Sequence, residues 1–289
     1  MTETLLEYGW LGLVLAIWVG LCVGSFLNVV IYRLPVMLER QWQAEARMVL
    51  HGASSEDEAA AEQQPPFNLM VPRSRCPSCD AQILAWQNVP VISWILLGGK
   101  CAKCGTPIPR RYPLVEALTA FLSVAVLALF GFTWLGLAAL TFTWVLVALT
   151  FIDYDTQLLP DQLTLPLLWL GLLTNVYGGF TDLTAAVVGA VAGYLFLWTT
   201  YWGFKLITGR EGMGYGDFKL LAAIGAWLGW QVLPAAILVA AGVGLLYAVA
   251  TGVTGRREAA QPIPFGPFLA IAGWVCMVQR DTVLRLFLG

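Results

Sequence analysis

Long uncharged stretches organise the chain and alternate with short segments in which the charged residues collect. A helix rises about 1.5 Å per residue and the hydrocarbon core of a bilayer is about 30 Å thick, so about 20 apolar residues span it. Two of the stretches run for 36 uncharged residues and contain a break near the middle, which gives two spans each. We therefore predict eight transmembrane helices, from residues 8–32, 117–152 (two), 162–181, 183–204, 220–255 (two) and 259–279.

Composition supports a membrane protein. Apolar residues make up 58% of the chain and charged residues 12%, and the mean hydropathy is +0.73. An ordinary globular protein is about 45–50% apolar and about 25% charged, so a soluble globular protein is excluded. We expect an all-α polytopic fold whose environment is the lipid bilayer. The net charge of −2 excludes a generally basic nucleic-acid binder, so no nucleic-acid partner is expected.

The positive residues predict how the chain crosses the membrane. Residues 33–112 hold nine of the 16 Lys and Arg residues, whereas the turns near 131–134, 178–182 and 231–234 hold none. Positive loops stay in the cytosol, so residues 33–112 and the later Lys- and Arg-bearing connections are predicted to be cytosolic. Arg280 and Arg285, after the last span, depart from this pattern.

The predicted organisation is a first transmembrane helix (8–32), a cytosolic loop (33–112) and a seven-helix membrane domain (113–279). Within the loop, residues 36–50 are expected to form an amphipathic helix on the membrane surface. Residues 53–66 form an acidic linker, whose four carboxylates belong to Glu56, Asp57, Glu58 and Glu62. The linker is either a solvated tether or an electrostatic attractor of a basic ligand.

Four cysteines in the loop form two Cys-x-x-Cys pairs that are 21 residues apart. Such pairs bring four thiolates to one tetrahedral ion, for which zinc is the usual occupant. Four protein ligands leave no position for a reacting water, so we predict a structural zinc knuckle over residues 76–104 rather than a zinc catalyst. The predicted ligands are Cys76, Cys79, Cys101 and Cys104.

Two groups of aspartates are predicted to meet at the cytosolic ends of helices. Asp153, Asp155 and Asp161 follow the third span, and Asp217 lies at the start of the sixth. A carboxylate so close to hydrocarbon is costly unless it has a partner or a function. Two such groups that share one proton can activate a water and polarise a carbonyl, as in aspartic proteases. Spacing alone leaves a second interpretation open, in which these side chains cap helices, as Asp161 is placed to do.

Four motifs together resemble the type IV prepilin peptidases. They are residues 24–35 (GSFLNVVIYRLP), the two cysteine pairs, Asp153-Tyr154-Asp155 through Leu159-Pro160-Asp161, and residues 214–219 (GYGDFK). The resemblance covers essentially the whole chain. It implies a two-aspartate peptidase in the bacterial inner membrane, with Asp153 and Asp217 as the catalytic pair.

The same resemblance implies the substrates and the second activity. Such enzymes cut the short basic leader from type IV prepilins and type II secretion pseudopilins on the cytosolic side, after a glycine. They then N-methylate the new first residue, usually Phe, with S-adenosylmethionine. The sequence shows no Rossmann-type motif, so the residues that bind the methyl donor are not predicted.

Two other classes compete with this interpretation. A proton-coupled transporter would use intramembrane acids as relays and predicts carboxylates near mid-span, whereas Glu116 is the only acid well inside a span's first turn. A zinc-ribbon adaptor with a membrane anchor would explain the cysteines. It leaves seven further spans without a role.

Overall fold

The computed structural model describes residues 9–51, 66–253 and 263–288. No β-strand forms within these ranges, and the predicted all-α class is confirmed. The acidic linker lies outside the described residues, apart from Pro66. The helices are α1 Gly9–His51, α2 Ile92–Leu96, α3 Arg111–Phe130, α4 Trp134–Thr156, α5 Asp161–Val176, α6 Leu183–Thr208, α7 Tyr215–Leu228, α8 Leu233–Val253, α9 Gly266–Val278 and α10 Arg280–Leu288, with short 3₁₀ turns at Ala85–Asn88 and Trp230–Val232.

Five of the helices in the described ranges are long and apolar enough to cross a membrane. They are α1, α3, α4, α6 and the segment Trp230–Gly252 that contains most of α8. The other three predicted spans correspond to α5, α7 and α9, which have 16, 14 and 13 residues. These three are shorter than the roughly 20 residues that a span requires. The length and composition of the five long helices therefore indicate a multi-pass membrane protein, and the count of eight spans stays a prediction.

The predicted breaks within the two long apolar stretches form as helix ends. Gly131, with a φ of 68°, follows the end of α3, and the Thr133 side chain accepts from the Gly136 N–H at 3.0 Å to cap α4. Gly229, with a φ of 90°, ends α7 before the 3₁₀ turn. Glycine reaches positive φ at little cost, so these positions separate helices that an unbroken apolar sequence would join.

The segment 36–50 is helical as expected, but it does not form a separate surface helix. It continues α1, which runs for 43 residues without interruption and contains Pro35. A proline inside a helix removes one backbone hydrogen bond and favours a kink, but Pro35 does not end this helix. No glycine lies between Pro35 and the end of α1, and residues 36–50 are mostly good helix formers, so the helix continues past Pro35.

The described chain divides into two compact units. One runs from Leu11 to Val124 and contains most of α1, the cysteine pairs and most of α3. The other contains the described residues from Ala125 onward, together with Gly9 and Trp10. Its centre is α7, which packs against α5, α6 and α9 and whose residues from Asp217 to Leu228 are almost all buried.

Close packing between α6 and α7 depends on glycine. Gly189 and Gly193 are four residues apart on α6 and face the backbone of α7 at Gly225 and Leu221. A small residue at every fourth position lets two helix backbones approach closely, as in membrane helix pairs generally. The position of α7 is therefore set largely by backbone contact.

Candidate active site and metal centre

Asp153 lies in the last turn of α4, which ends where Gln157 adopts a left-handed conformation. The residue is 5% exposed. Its Oδ2 accepts a hydrogen bond of 2.9 Å from the backbone N–H of Gly266 at the start of α9. The carboxylate predicted from the sequence is thus buried and held by a residue 113 positions away.

Asp217 lies in the first turn of α7 and is 7% exposed. Its carboxyl group interacts electrostatically with that of Asp153, so the structure brings the two predicted aspartates together. Asp217 Oδ1 is buried without a hydrogen-bond partner among the described residues. Two buried like charges repel strongly in a low dielectric, which favours one shared proton between them.

Leu159 links the two halves of this site. A Cβ added at Gly216, next to Asp217, would lie 2.6 Å from the Leu159 Cβ. A Cβ added at Gly266 would lie 3.1 Å from the Leu159 Cδ2. Leu159 therefore occupies the space beside both glycines and fixes how closely the starts of α7 and α9 approach the loop after α4. The sequence pattern predicted neither this role of Leu159 nor a role for Gly266.

The two neighbouring aspartates lie outside this buried pair. Asp155 is exposed at the end of α4. Asp161 does not cap α5, because Pro160 is the N-cap and no side chain caps the helix. Asp161 is half exposed and accepts from the Lys219 Nζ at 2.6 Å. The capping role suggested for Asp161 is therefore wrong, and its carboxylate pairs with a cation on α7 instead.

The four predicted zinc ligands converge in the other unit. Their four sulfur atoms lie within 4.8 Å of one another, and the Cys76 and Cys104 sulfurs are 3.7 Å apart. A tetrahedral zinc with Zn–S bonds of about 2.3 Å separates its sulfurs by about 3.8 Å. The arrangement therefore fits one zinc ion, with all four positions taken by protein.

Two similar turns shape this four-cysteine cluster. The Asp80 N–H donates to the Cys76 carbonyl, and the Gly105 N–H donates to the Cys101 carbonyl, each at 2.9 Å. Asp80 and Gly105 both adopt positive φ, 53° and 72°, which reverses the chain after each pair. Hydrogen bonds from the side chain and backbone of Thr106 lower the pKa of the Cys104 thiol to about 6. That favours the thiolate, which is the form that binds metal.

Buried polar contacts hold the rest of this unit together. The Arg33 guanidinium donates to the backbone carbonyls of Asn68 at 2.8 Å and Pro72 at 2.6 Å. Glu116 of α3 is 7% exposed and accepts from the Val91 N–H at 2.7 Å. Both charged side chains thus bind backbone groups of the cysteine-containing loop, which ties that loop to α1 and α3.

Comparisons with known proteins agree over nearly the full length. Residues 18–130 match the bacterial peptidase A24 N-terminal domain, and residues 140–249 match the type IV leader peptidase family. Proteins called "Prepilin leader peptidase/N-methyltransferase" are similar throughout. The one from Aeromonas hydrophila is 57% identical over 96% of this chain and 94% of its own, and the one from Pseudomonas aeruginosa is 53% identical over 94% and 92%. No solved structure matches the chain.

Proposed function

The chain belongs to the type IV leader peptidase family, and from that premise we propose that it removes the short basic leader of type IV prepilins and type II secretion pseudopilins. The cut follows a glycine and takes place at the cytosolic face of the bacterial inner membrane. The new first residue, usually Phe, is then N-methylated. The names of the relatives and the positive loops on one side of the membrane support this proposal.

The buried pair Asp153 and Asp217 is the observation that carries the peptidase assignment. Each carboxylate is less than a tenth exposed and each comes from a different helix, yet the two interact electrostatically. Loop or capping carboxylates would be solvated, as Asp155 and Asp161 are. Burying two carboxylates without a cation between them is costly, and catalysis is a common reason for such an arrangement.

In the proposed reaction, the pair holds one proton. The ionised carboxylate takes a proton from a water molecule, whose oxygen then attacks the carbonyl carbon of the scissile peptide bond. The protonated carboxyl donates a hydrogen bond to the carbonyl oxygen and stabilises its negative charge. When the tetrahedral intermediate collapses, the C–N bond breaks and the carboxyl group that took the proton from water passes it to the leaving nitrogen. The pair again holds one proton, and the freed amine is the new amino terminus. Neither step requires a metal ion.

The proposal includes two cofactors, and the described part of the structure offers binding residues for only one of them, zinc. The four-cysteine cluster would hold zinc and stabilise the cytosolic loop, because no coordination position stays open for chemistry. S-adenosylmethionine would supply the methyl group. The described residues contain no β-strand and so no Rossmann-type site for it, and we assign no residue to its binding.

The proposal is tested with purified protein in detergent, incubated with a prepilin with and without S-adenosylmethionine, and followed by mass measurement of the products. Asp153→Asn and Asp217→Asn should each lose nearly all cleavage while the protein stays folded, because an amide cannot share the proton of the pair. Asp155→Asn and Asp161→Asn are the matched controls and should retain substantial activity.

Two results would overturn the assignment. One is full cleavage by either Asp153→Asn or Asp217→Asn. The other is loss of cleavage in Asp155→Asn together with wild-type activity in Asp153→Asn, which would move the catalytic residue by two positions. A peptidase that cleaves but transfers no methyl group would leave the first activity standing and remove the second.

A further inference from the structure

Within the described chain, the backbone N–H of Gly266 donates a hydrogen bond to Asp153 and to no other residue. Gly266 is the first residue of α9, where backbone N–H groups have no partner inside the helix. The first bonds of the helix run from the Phe268 and Leu269 N–H groups to the Phe265 carbonyl, both at 3.1 Å. The 2.9 Å bond from Gly266 to the Asp153 Oδ2 therefore costs the helix no hydrogen bond.

The space around this bond admits only glycine without a shift. A Cβ added at Gly266 would lie 2.7 Å from the Asp153 Oδ2 and 3.0 Å from its Cγ. An ordinary contact of a Cβ begins at 3.4 Å, so the carboxylate or α9 would have to move. The absence of a side chain is thus what allows the N–H to reach Asp153.

The two carboxylates of the pair differ in their contacts. Asp153 Oδ2 accepts a full backbone hydrogen bond, and a bond of this kind stabilises a carboxylate more than a neutral carboxyl group. The backbone of Gly214 also approaches the Asp217 carboxyl, yet Asp217 Oδ1 is buried without a hydrogen-bond partner among the described residues. A buried charge without such partners is disfavoured, whereas a neutral carboxyl group costs much less.

We propose that Gly266 is a positioning residue of the cleavage reaction, whose backbone N–H fixes Asp153 as the ionised, water-activating carboxylate and leaves the shared proton on Asp217. The inference rests on the proposed function and adds a division of roles to it. Asp153 takes the proton from the attacking water, and Asp217 donates its proton in a hydrogen bond to the scissile carbonyl oxygen. Gly266 acts only through Asp153 and does not contact the reacting atoms.

The first test is Gly266→Ala, compared with Gly273→Ala on the same helix. A Cβ at Gly273 would lie 2.9 Å from the Ile224 side chain, so both variants crowd α9 but only one meets Asp153. Misplacing a catalytic group by about 1 Å can cost about 10²-fold in rate. We expect kcat for prepilin cleavage to fall about 100-fold in Gly266→Ala with KM within about three-fold of wild type. Gly273→Ala should keep at least half of the wild-type kcat.

The melting temperature in detergent separates positioning from folding. If Gly266→Ala melts no earlier than Gly273→Ala and still loses kcat, the positioning role is supported. If it keeps more than half of wild-type kcat, the role is refuted. Should Gly266→Ala fail to fold, kcat is measured instead on protein made by cell-free synthesis, in which an ester oxygen replaces the amide N–H of residue 266. That change adds no atom to the crowded space, and wild-type kcat in the ester protein would also refute the role.

The division of roles has its own readout in the residual activity of the two asparagine variants. The Asp217→Asn side chain still offers an N–H to the carbonyl oxygen, whereas Asp153→Asn has lost the group that accepts the proton from water. We expect Asp217→Asn to keep at least ten-fold more residual cleavage than Asp153→Asn. Equal or reversed residual rates would refute the division of roles. Wild-type protein that cleaves no prepilin would instead refute the proposed function.

Discussion

The contact between α6 and α7 makes a quantitative prediction about catalysis. Gly193 of α6 faces the backbone of α7 one turn after Asp217: a Cβ at this position would lie 2.7 Å from the Leu221 carbonyl oxygen and 3.1 Å from the Ala222 nitrogen. Both neighbours are backbone atoms inside a buried helix, so no side-chain rotation can make room. Gly193→Ala must therefore push α7 away from α6.

The size of the shift follows from the distances. The added Cβ is about 0.7 Å short of an ordinary contact with the Leu221 oxygen. Overpacking of this kind costs about 1–3 kcal/mol of stability. Asp217 lies on α7 one turn before Leu221, so the displacement also moves the proposed catalytic pair, and a displacement near 1 Å costs up to about 10²-fold in rate. We expect kcat for prepilin cleavage to fall about 10- to 100-fold, with a smaller change in KM.

The assay compares Gly193→Ala with Gly203→Ala, which lies on the same helix and has no atom within 4 Å of an added Cβ. Gly203→Ala should cleave like wild type and melt slightly later, because alanine favours a helix by about 1 kcal/mol over glycine. Both variants are measured for kcat, KM and melting temperature in the same detergent. Wild-type kcat in Gly193→Ala, or an equal loss in both variants, would refute the argument that backbone contact positions Asp217.

Three further predictions concern the cytosolic loop. Purified protein should contain about one zinc per chain, and chelation or Cys104→Ser should lower the melting temperature and impair methyl transfer more than cleavage; metal-free protein with four alkylatable thiols would contradict the site. Glu116→Ala should lose about 1–3 kcal/mol of unfolding free energy because the Val91 N–H loses its acceptor, whereas Glu116→Gln keeps an acceptor and serves as the control. Neutralising the four carboxylates of the acidic linker should raise KM for prepilin at low salt and leave kcat unchanged if the linker attracts the leader; an unchanged KM leaves only a tether.

Features that depend on charge or on local spacing were predictable from the sequence. The cysteine cluster follows from two short repeats, since each Cys-x-x-Cys pair closes its own turn and only one ion has to join the two. The helix breaks follow from glycine and from the length that a span requires. Carboxylates at the ends of apolar stretches are rare, so the group Asp153, Asp155 and Asp161 and the single Asp217 stand out. The family resemblance then singles out Asp153 and Asp217 as the pair.

Features that depend on long-range packing were not predictable. The bond from Gly266 to Asp153 joins residues 113 positions apart, and nothing near either residue specifies the other. A signal does exist in the segment Pro264-Phe265-Gly266-Pro267, because prolines around a glycine at the head of an apolar stretch favour a helix start. It predicts where α9 begins, but the group that the free N–H meets depends on how α4 and α9 pack.

The lengths of α7 and α9 bear on the depth of the proposed catalytic pair in the membrane. At 14 and 13 residues, α7 and α9 are about 20 Å long, whereas the hydrocarbon core is about 30 Å thick. Asp217 and Gly266 lie in the first turns of these helices, at the ends that the positive loops predict to be cytosolic. The eight-span prediction places the opposite ends at the outer surface, and it therefore predicts that those first turns lie about 10 Å inside the cytosolic boundary. In the proposed function, the substrate changes there from a basic leader to an apolar helix. A catalytic pair at this depth meets the scissile bond while the leader stays in water and the helix stays in lipid.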